Sequence, residues 1–443
     1  MARTEELRLA ELSPRNAAAA WRERFATTEL RSFAQSSPAK LIAIGLVLLS
    51  LCVAAGIVTA TAVTNRQHAL DVLLDQSEPD AYSAQRLYTS LSVADASAGA
   101  AFISGGLEPK PVRDRYNQAV GEAAAELVTQ SNLSDGDTDT QLRSGIATGL
   151  PVYTGVIETA RANNRAGEPV GAAYLSEASN LMQGTLLPMA QELQEHRSTA
   201  ITSTQHTHLR PPWPAILLPL LVVAALIAAQ LFLYRRWHRV LNLGLLLATG
   251  TMVALLAWTV IAGFISAVDT THARDEGSTP TAALTQSRIL AQQARTAETL
   301  KLVRRDTSAD YDKAYDQAID KLRNILSGYR TDAPGASDVQ TAAAALDRWR
   351  AAHQRMNDAL SKGDFVGAAA VATGPGANEA TAQTEALDRA LGDGIADTRD
   401  MLRTDTSHAA RTLDLLGPGA LVLSTAAAVL IAAGLWPRLR EYR

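Results

Sequence analysis

Four long apolar runs constrain the fold of this chain more than any other feature of its sequence. None has a charged residue in its interior, and each can cross the roughly 30 Å core of a bilayer as a helix of about 20 residues. One soluble core does not need four such runs, which favours transmembrane helices over buried helices of a soluble protein. The first run is also longer than the apolar part of a signal peptide. The runs are residues 41–63, 213–234, 240–268 and 415–436.

Composition supports helices and excludes several classes of protein. Hydrophobic residues make up 47% of the chain and aromatic residues only 5%, because much of the apolar content is alanine, the best helix former. The single cysteine, Cys52, excludes internal disulfides and any cysteine-based zinc site. A net charge of −4 gives no basic footprint for nucleic acid. We therefore expect an all-α membrane protein that does not bind nucleic acid.

The distribution of Lys and Arg predicts the orientation in a plasma membrane. Both tails and the short loop after the second run are rich in arginine, which is typical of cytoplasmic segments. Both termini are therefore predicted to be cytoplasmic, and the two long segments extracytoplasmic. The predicted parts are a tail 1–40, a span 41–63, an outside four-helix bundle 64–212, a span 213–234, an inner loop 235–239, a span 240–268, a second outside bundle 269–414, a span 415–436 and a tail 437–443.

Two internal matches at nearly one spacing indicate a tandem duplication. YNQAV at 116–120 matches YDQAI 199 positions later, and AGEPVGAA at 166–173 matches KGDFVGAA 196 positions later. A shift of about 199 also brings the first two apolar runs onto the last two. Self-similarity at a fixed period is the signature of a repeat. The predicted unit is span, outside bundle, span; the alternative is accidental matching in an alanine-rich chain.

Proline and glycine divide both outside segments at helical lengths. Apolar residues from Leu87 to Phe102 recur at spacings of three and four, as on one face of a helix. Four helices with short turns fit an up-down bundle. The predicted fold is thus four transmembrane helices and two extracytoplasmic up-down four-helix bundles related by tandem duplication. In the second bundle the predicted helices are near 280–304, 308–328, 337–361 and 364–412.

The turns of such bundles that lie far from the membrane carry basic side chains, although the first outside segment has more acidic than basic residues. We interpret them as candidates for docking an acidic partner or ligand, with ordinary solvated turn charge as the alternative. The candidates are Lys110, Arg113, Arg161 and Arg165 in the first bundle, and Arg304, Arg305 and Lys362 in the second.

The sequence contains no motif for catalysis or cofactor binding. It has no phosphate-binding loop and no HExxH zinc motif. His206 and His208 in QHTH lack an evident third ligand, and DGDTD at 135–139 lacks the glycine and the glutamate of a calcium loop. The spans also lack the charged residues of ion pathways. We expect no enzyme activity, no cofactor and no metal.

The predicted cytoplasmic parts are too short for an output domain, so a signal would have to be read by another protein. Within the N-terminal tail, a short basic helix after Pro14 would lie on anionic lipid or contact that protein. The candidate output residues are Arg22 and Arg24 in this tail, and Arg235, Arg236 and Arg239 in the inner loop.

The stretch LYTSLSVADASAGAAFISGGLEPKPVRDRYNQAV at 87–120 resembles the GlnX-type transmembrane sensors of actinobacteria. The architecture is also similar to the four-helix-bundle sensor modules of chemoreceptors and sensor kinases without their output domain. The GlnX resemblance implies an outside solute-binding lipoprotein that detects glutamate, aspartate or their amides. It further implies signalling in trans to a cytosolic Ser/Thr protein kinase, protein kinase G. It implies no catalytic residues.

Two other functions remain open from the sequence. A permease-like or accessory component of an ATP-driven transport or secretion machine would also have large outside segments, but the inner loop is too short for a coupling helix. The other is an envelope scaffold without a ligand. A homo-oligomer is also possible on the sequence alone.

Overall fold

The computed structural model describes residues 37–103, 108–129, 136–208, 213–237, 242–304 and 309–440. All regular structure in these ranges is helical, which confirms the all-α prediction. The α-helices are α1 (Ser37–Val72), α2 (Glu78–Ile103), α3 (Lys110–Thr129), α4 (Asp137–Arg165), α5 (Val170–Leu181), α6 (Leu187–His208), α7 (Trp213–Trp237), α8 (Leu243–His272), α9 (Thr279–Arg304), α10 (Asp310–Ser327), α11 (Ala336–Ser361), α12 (Phe365–Thr373), α13 (Ala380–Arg411) and α14 (Leu416–Arg440).

These helices form two compact units. The membrane unit contains α7, α14 and the apolar parts of α1 and α8. Within this unit, α1 is included up to residue 65 and α8 up to residue 263. The helical unit contains the described residues of 66–208 and 264–412. We refer to these two segments as the first and second halves of the helical unit.

The membrane unit confirms the prediction of four spans. The described residues include four helices long and apolar enough to cross a membrane, so this is a multi-pass membrane protein. Small residues allow close contact between α8 and α14, because a Cβ atom added to Gly244 would lie 2.5 Å from the Cα of Gly434. Close backbone approach at small residues is typical of helix packing in bilayers.

The first half of the helical unit has its own apolar core. Helix α2 packs on α3 and α6, and α4 packs on α5 and α6. Apolar side chains from all of these helices are buried in one cluster, with Leu91, Ile146 and Met182 among the most buried. Among the described connections, a short turn after Arg165 joins α4 to α5.

The second half repeats this arrangement with one difference from the predicted helices. Its core contains Leu284, Leu322, Trp349 and Leu387. The predicted helix over 364–412 is interrupted, since α12 ends at Thr373 and α13 begins at Ala380. The intervening sequence GPG explains the break, because proline and glycine both disfavour a helix interior.

The two halves pack against each other along α2 and α9. A Cβ atom added to Gly99 would lie 2.4 Å from the Cγ2 atom of Thr299, so the glycine permits the close approach of these helices. Buried Glu78 of α2 accepts hydrogen bonds from Arg399 and Arg403 of α13. The halves are therefore one packed body and not two separate bundles.

Equivalent positions in the two halves are about 200 residues apart. One π-helical segment, Leu73–Ser77, joins α1 to α2, and another, Ala273–Ser278, joins α8 to α9. Two contacts between the halves follow the same spacing, since Gly99 of α2 meets Thr299 of α9 and the Nε of Arg66 in α1 donates a hydrogen bond to Ser266 in α8. This spacing is consistent with a proposal of duplication.

Candidate functional site

A cavity of about 260 Å³ lies at one end of the first half, where α2 and α4 end and α3 begins. We call it the tip cavity. Its apolar lining includes Phe102, Ile157 and Leu175, and its polar lining is Glu108, Arg113, Asn117, Glu158, Arg161, Asn164 and Arg165. Three of the predicted docking arginines, 113, 161 and 165, therefore come together around one cavity.

Arg161 is the most enclosed of these arginines, with 14% of its side chain exposed. Its Nη2 donates a hydrogen bond of 2.9 Å to Glu108, and its Nη1 donates one of 2.6 Å to Glu158. Its guanidinium carbon lies 4.1 Å from the centre of the Tyr116 ring, a cation–π arrangement. The buried Nε of Arg161 has no acceptor among the described residues. This side chain is thus fixed in place with one donor unused.

The other two arginines of the tip cavity are less constrained. The Nε of Arg113 is 3.5 Å from Glu108, which is at the outer limit for a hydrogen bond, and 43% of its side chain is exposed. Arg165 lies at the end of α4, is exposed, and has no ion pair within the described ranges. The cavity thus offers two weakly occupied guanidinium groups to a bound anion.

Below the cavity, the first half contains buried polar groups with altered acidity. Burial raises the pKa of the Tyr116 hydroxyl to about 12, and nearby Arg161 opposes the shift. Asp95 accepts hydrogen bonds from Ser179 and Gln183 at 3.0 and 2.8 Å and lies 3.4 Å from the Tyr153 hydroxyl. Burial raises the pKa of Asp95 to about 6 despite these hydrogen bonds. Protonation of Asp95 would therefore occur within a mildly acidic range.

The residues around the matching tyrosine of the second half make different contacts. Tyr315 occupies the position equivalent to Tyr116, but its ring stacks on His353 with centres 3.6 Å apart. Glu298 accepts a hydrogen bond of 3.2 Å from Trp349 and lies 2.8 Å from the Nδ1 of His353. Lys301 donates to Asp312 and to Asn357. The YxQA sequence is thus shared, whereas the surroundings of its tyrosine differ.

The remaining predicted docking residues lie outside the tip cavity. Exposed Lys110 pairs with Asp114 at 2.5 Å, one turn along α3. Arg304 donates a hydrogen bond to Asn180 of the first half. Lys362 is exposed just after α11, and Arg305 lies outside the described residues. The structure therefore divides the seven candidates into cavity-lining residues and surface residues.

The structure describes only two of the five predicted output residues. Arg235 is exposed near the end of α7, and Arg236 follows it in the same helix. Arg22, Arg24 and Arg239 lie outside the described residues. The described part of the chain has no group of three or more His, Cys, Asp or Glu side chains that could bind a metal ion.

Sequence reasoning missed the acidic and amide residues of the tip cavity. Glu108 pairs with two arginines and Glu158 with one. A prediction based only on the positive charge of the turns leaves out these two acidic residues. Two features of the sequence could have revealed them. Glu158 and Arg161 are three residues apart on a predicted helix. Glu108 directly precedes Pro109, and α3 begins at the next residue.

Comparison with known families bears on the same segment of the chain. Residues 69–206 match the family model of the actinobacterial sensor domain. The matched segment spans the first half of the helical unit and includes every residue that lines the tip cavity. Comparison with the curated proteins and with the solved structures found no significant match.

The family match and the fold together support a sensor of actinobacterial type in a membrane. This agrees with the sensor role expected from the sequence. The tip cavity is the part of the matched domain whose geometry suits a small ligand, because cavities with an apolar wall and a few converging polar groups are typical binding sites.

Proposed function

We propose that this chain is a non-enzymatic transmembrane sensor that relays an extracytoplasmic amino-acid signal to a cytosolic Ser/Thr protein kinase. In this proposal a solute-binding lipoprotein presents the signal outside the membrane. Both chain termini and the 235–239 loop are cytoplasmic, and the helical unit is extracytoplasmic. The observation that carries the proposal is the sensor-domain match over residues 69–206, which covers the helices that form the tip cavity.

Helix continuity provides a route for the signal. Helix α2 continues through the π-helical segment Leu73–Ser77 into α1, and α9 continues through Ala273–Ser278 into α8, without a break in helical structure. A displacement of α2 relative to α9 can therefore pass along the backbone into two of the apolar helices. A ligand-loaded partner shifts this equilibrium only by binding one arrangement better than the other.

Charge supports docking of the partner at the end that contains the tip cavity. Lys110, Arg113 and Arg165 present positive charge there, and Lys110 is almost fully exposed. Complementary charge mainly increases the association rate and selects the partner. An acidic surface on the lipoprotein would bind these residues. On the cytoplasmic side, the kinase would bind the arginine-rich loop and tails.

Capture of partners from native membranes tests the docking step. The full-length protein is crosslinked, purified and analysed by mass spectrometry, alongside a variant with Arg113→Glu and Arg305→Glu. We expect a solute-binding lipoprotein with the wild type and at least several-fold less with the charge-reversed variant. The matched control is Arg350→Glu, because Arg350 lies on α11, pairs with Asp347 at 4.0 Å and has 41% of its side chain exposed. This variant should capture as much lipoprotein as the wild type does.

Two results of this capture would contradict the proposal. Equal recovery of the lipoprotein by all three proteins would remove the docking role of these arginines. Recovery of an ATPase in place of the lipoprotein and the kinase would identify a transport or secretion component and exclude the sensor relay.

A further inference from the structure

The structure assigns a second role to the first half: we infer that the tip cavity itself binds a small organic carboxylate, so that this chain contacts the signal molecule directly. The inference rests on the proposed sensor function and extends it. A lipoprotein would then deliver or compete for a ligand that the membrane protein also holds.

The charges of the tip cavity favour an anion. Three arginines and two glutamates line it, which leaves one positive charge in excess. Arg161 and its two glutamate partners together carry a net charge of −1, and Arg113 and Arg165 add two positive charges, so the excess resides on these two arginines. A carboxylate matches the fork of a guanidinium group and can accept two parallel hydrogen bonds from it.

The site is already organised around Arg161. Its contacts with Glu108, Glu158 and the Tyr116 ring fix the guanidinium group before any ligand arrives. The Nε atom of Arg161 is itself buried, so the donors left for a ligand are those of Arg113 and Arg165. Because the contacts of Arg161 already fix this side of the cavity, little ordering is left for the ligand to induce.

The remaining lining residues select an organic ligand over a mineral anion. Phe102, Ile157 and Leu175 give one apolar wall, which suits a carbon chain and offers nothing to phosphate. Asn117 and Asn164 add amide groups that can donate to or accept from a second polar group of the ligand. The volume of 260 Å³ equals about eight water molecules, which limits the ligand to a small molecule.

The second half supports this assignment by contrast. At its equivalent position the Tyr315 ring is covered by His353, Glu298 pairs with His353, and Lys301 pairs with Asp312. Met356 and Leu302 pack nearby in a small apolar cluster. If the two halves arose by duplication, the surroundings of the shared tyrosine have diverged: Arg161 covers Tyr116 beside the tip cavity, whereas His353 covers Tyr315.

Calorimetry on the purified full-length protein in detergent or nanodiscs tests the inference. The probes are L-glutamate, L-aspartate, glutarate, succinate and inorganic phosphate, each titrated separately. We expect at least one carboxylate to bind once per chain with a dissociation constant below about 1 mM. Arg165→Ala and Arg113→Ala should each weaken this binding about tenfold or more, because each removes a charged donor to the carboxylate.

Lys362→Ala is the matched control, since Lys362 is an exposed cation at the start of the KGDFVGAA match but does not line the cavity. It should bind as the wild type does. Three results would overturn the inference: no carboxylate binding, binding of phosphate alone, or binding that both arginine variants leave unchanged. Partner capture is measured separately, so a failure here with normal lipoprotein capture leaves the sensor function standing.

Discussion

At the scale of single residues, the account depends on how buried charges are compensated. Arg161 is held by Glu108 and Glu158 and covers the Tyr116 ring. Removing Arg161 would leave Glu108, whose side chain is 12% exposed, without its main compensating charge, whereas Glu158 is exposed to solvent. The loss of the partner of a largely buried charge costs more than the pair itself contributes. The tip cavity is therefore both a binding site and a part of the fold, and variants must separate the two roles.

Replacing Arg161 with alanine is expected to destabilise the helical unit by about 2 kcal/mol, a value reduced for its partial exposure. Arg161→Lys should recover part of the loss, because lysine keeps the charge but not the two-pronged geometry. The free energy of unfolding, measured by denaturant titration in detergent, checks both. Arg350→Ala is the exposed control and should change it by less than about 0.5 kcal/mol. Equal losses of unfolding free energy in Arg161→Ala and Arg350→Ala would contradict the stabilising role of the contacts made by Arg161.

Asp95 gives a prediction about pH. Burial raises its pKa from 3.8 to about 6, so between these values the folded state holds a proton that the unfolded state has lost. This contribution to stability is complete below about pH 4 and is lost as the pH rises through about 6, a change on the order of 3 kcal/mol. Thermal unfolding at a series of pH values should show this decline in the wild type and a flatter profile in Asp95→Asn. Identical profiles would contradict it.

At the scale of helices, the close approach of α2 and α9 depends on one glycine. A Cβ atom at Gly99 meets Thr299 at 2.4 Å, whereas one at Gly121 of α3 meets no atom within 4 Å. The same substitution should therefore have opposite effects at the two positions. Gly99→Ala is expected to destabilise the unit by about 1–3 kcal/mol through overpacking. Gly121→Ala should stabilise it by about 0.5–1 kcal/mol through helix propensity. Melting temperatures decide the signs, and a stabilised Gly99→Ala would contradict the contact.

Helices were predictable from this sequence because their signals are local. Apolar length marks the four spans, glycine follows the end of α2 and proline marks the start of α3, whereas the break between α12 and α13 was missed although GPG lies there. The pairing of α2 with α9 was not predictable, since it depends on residues such as Gly99 and Thr299 that are about 200 positions apart. Only the cations of the tip cavity were predicted, because they cluster near the predicted turns of the sequence, whereas Glu158 has the pattern of an ordinary helix residue.

At the scale of the whole molecule, the helical unit should unfold as one body. Glu78 is 3% exposed and binds Arg399 and Arg403 from the other half. Replacing it with alanine leaves two arginines without their partner, and we expect a loss of about 2–4 kcal/mol. Hydrogen exchange should then quicken in α4 and α11 alike, because a shared interface couples both halves. Faster exchange in the first half alone would show that the halves are independent.

The central claim is that an outside amino-acid signal changes what the chain binds inside. The most direct measurement is the amount of cytosolic protein kinase crosslinked to the full-length protein in intact cells, with and without L-glutamate added outside. We predict a several-fold change for the wild type and none for a variant with Arg113→Glu and Arg165→Glu. Recovery of the same amount of kinase in both conditions, or of no kinase at all, would contradict the account.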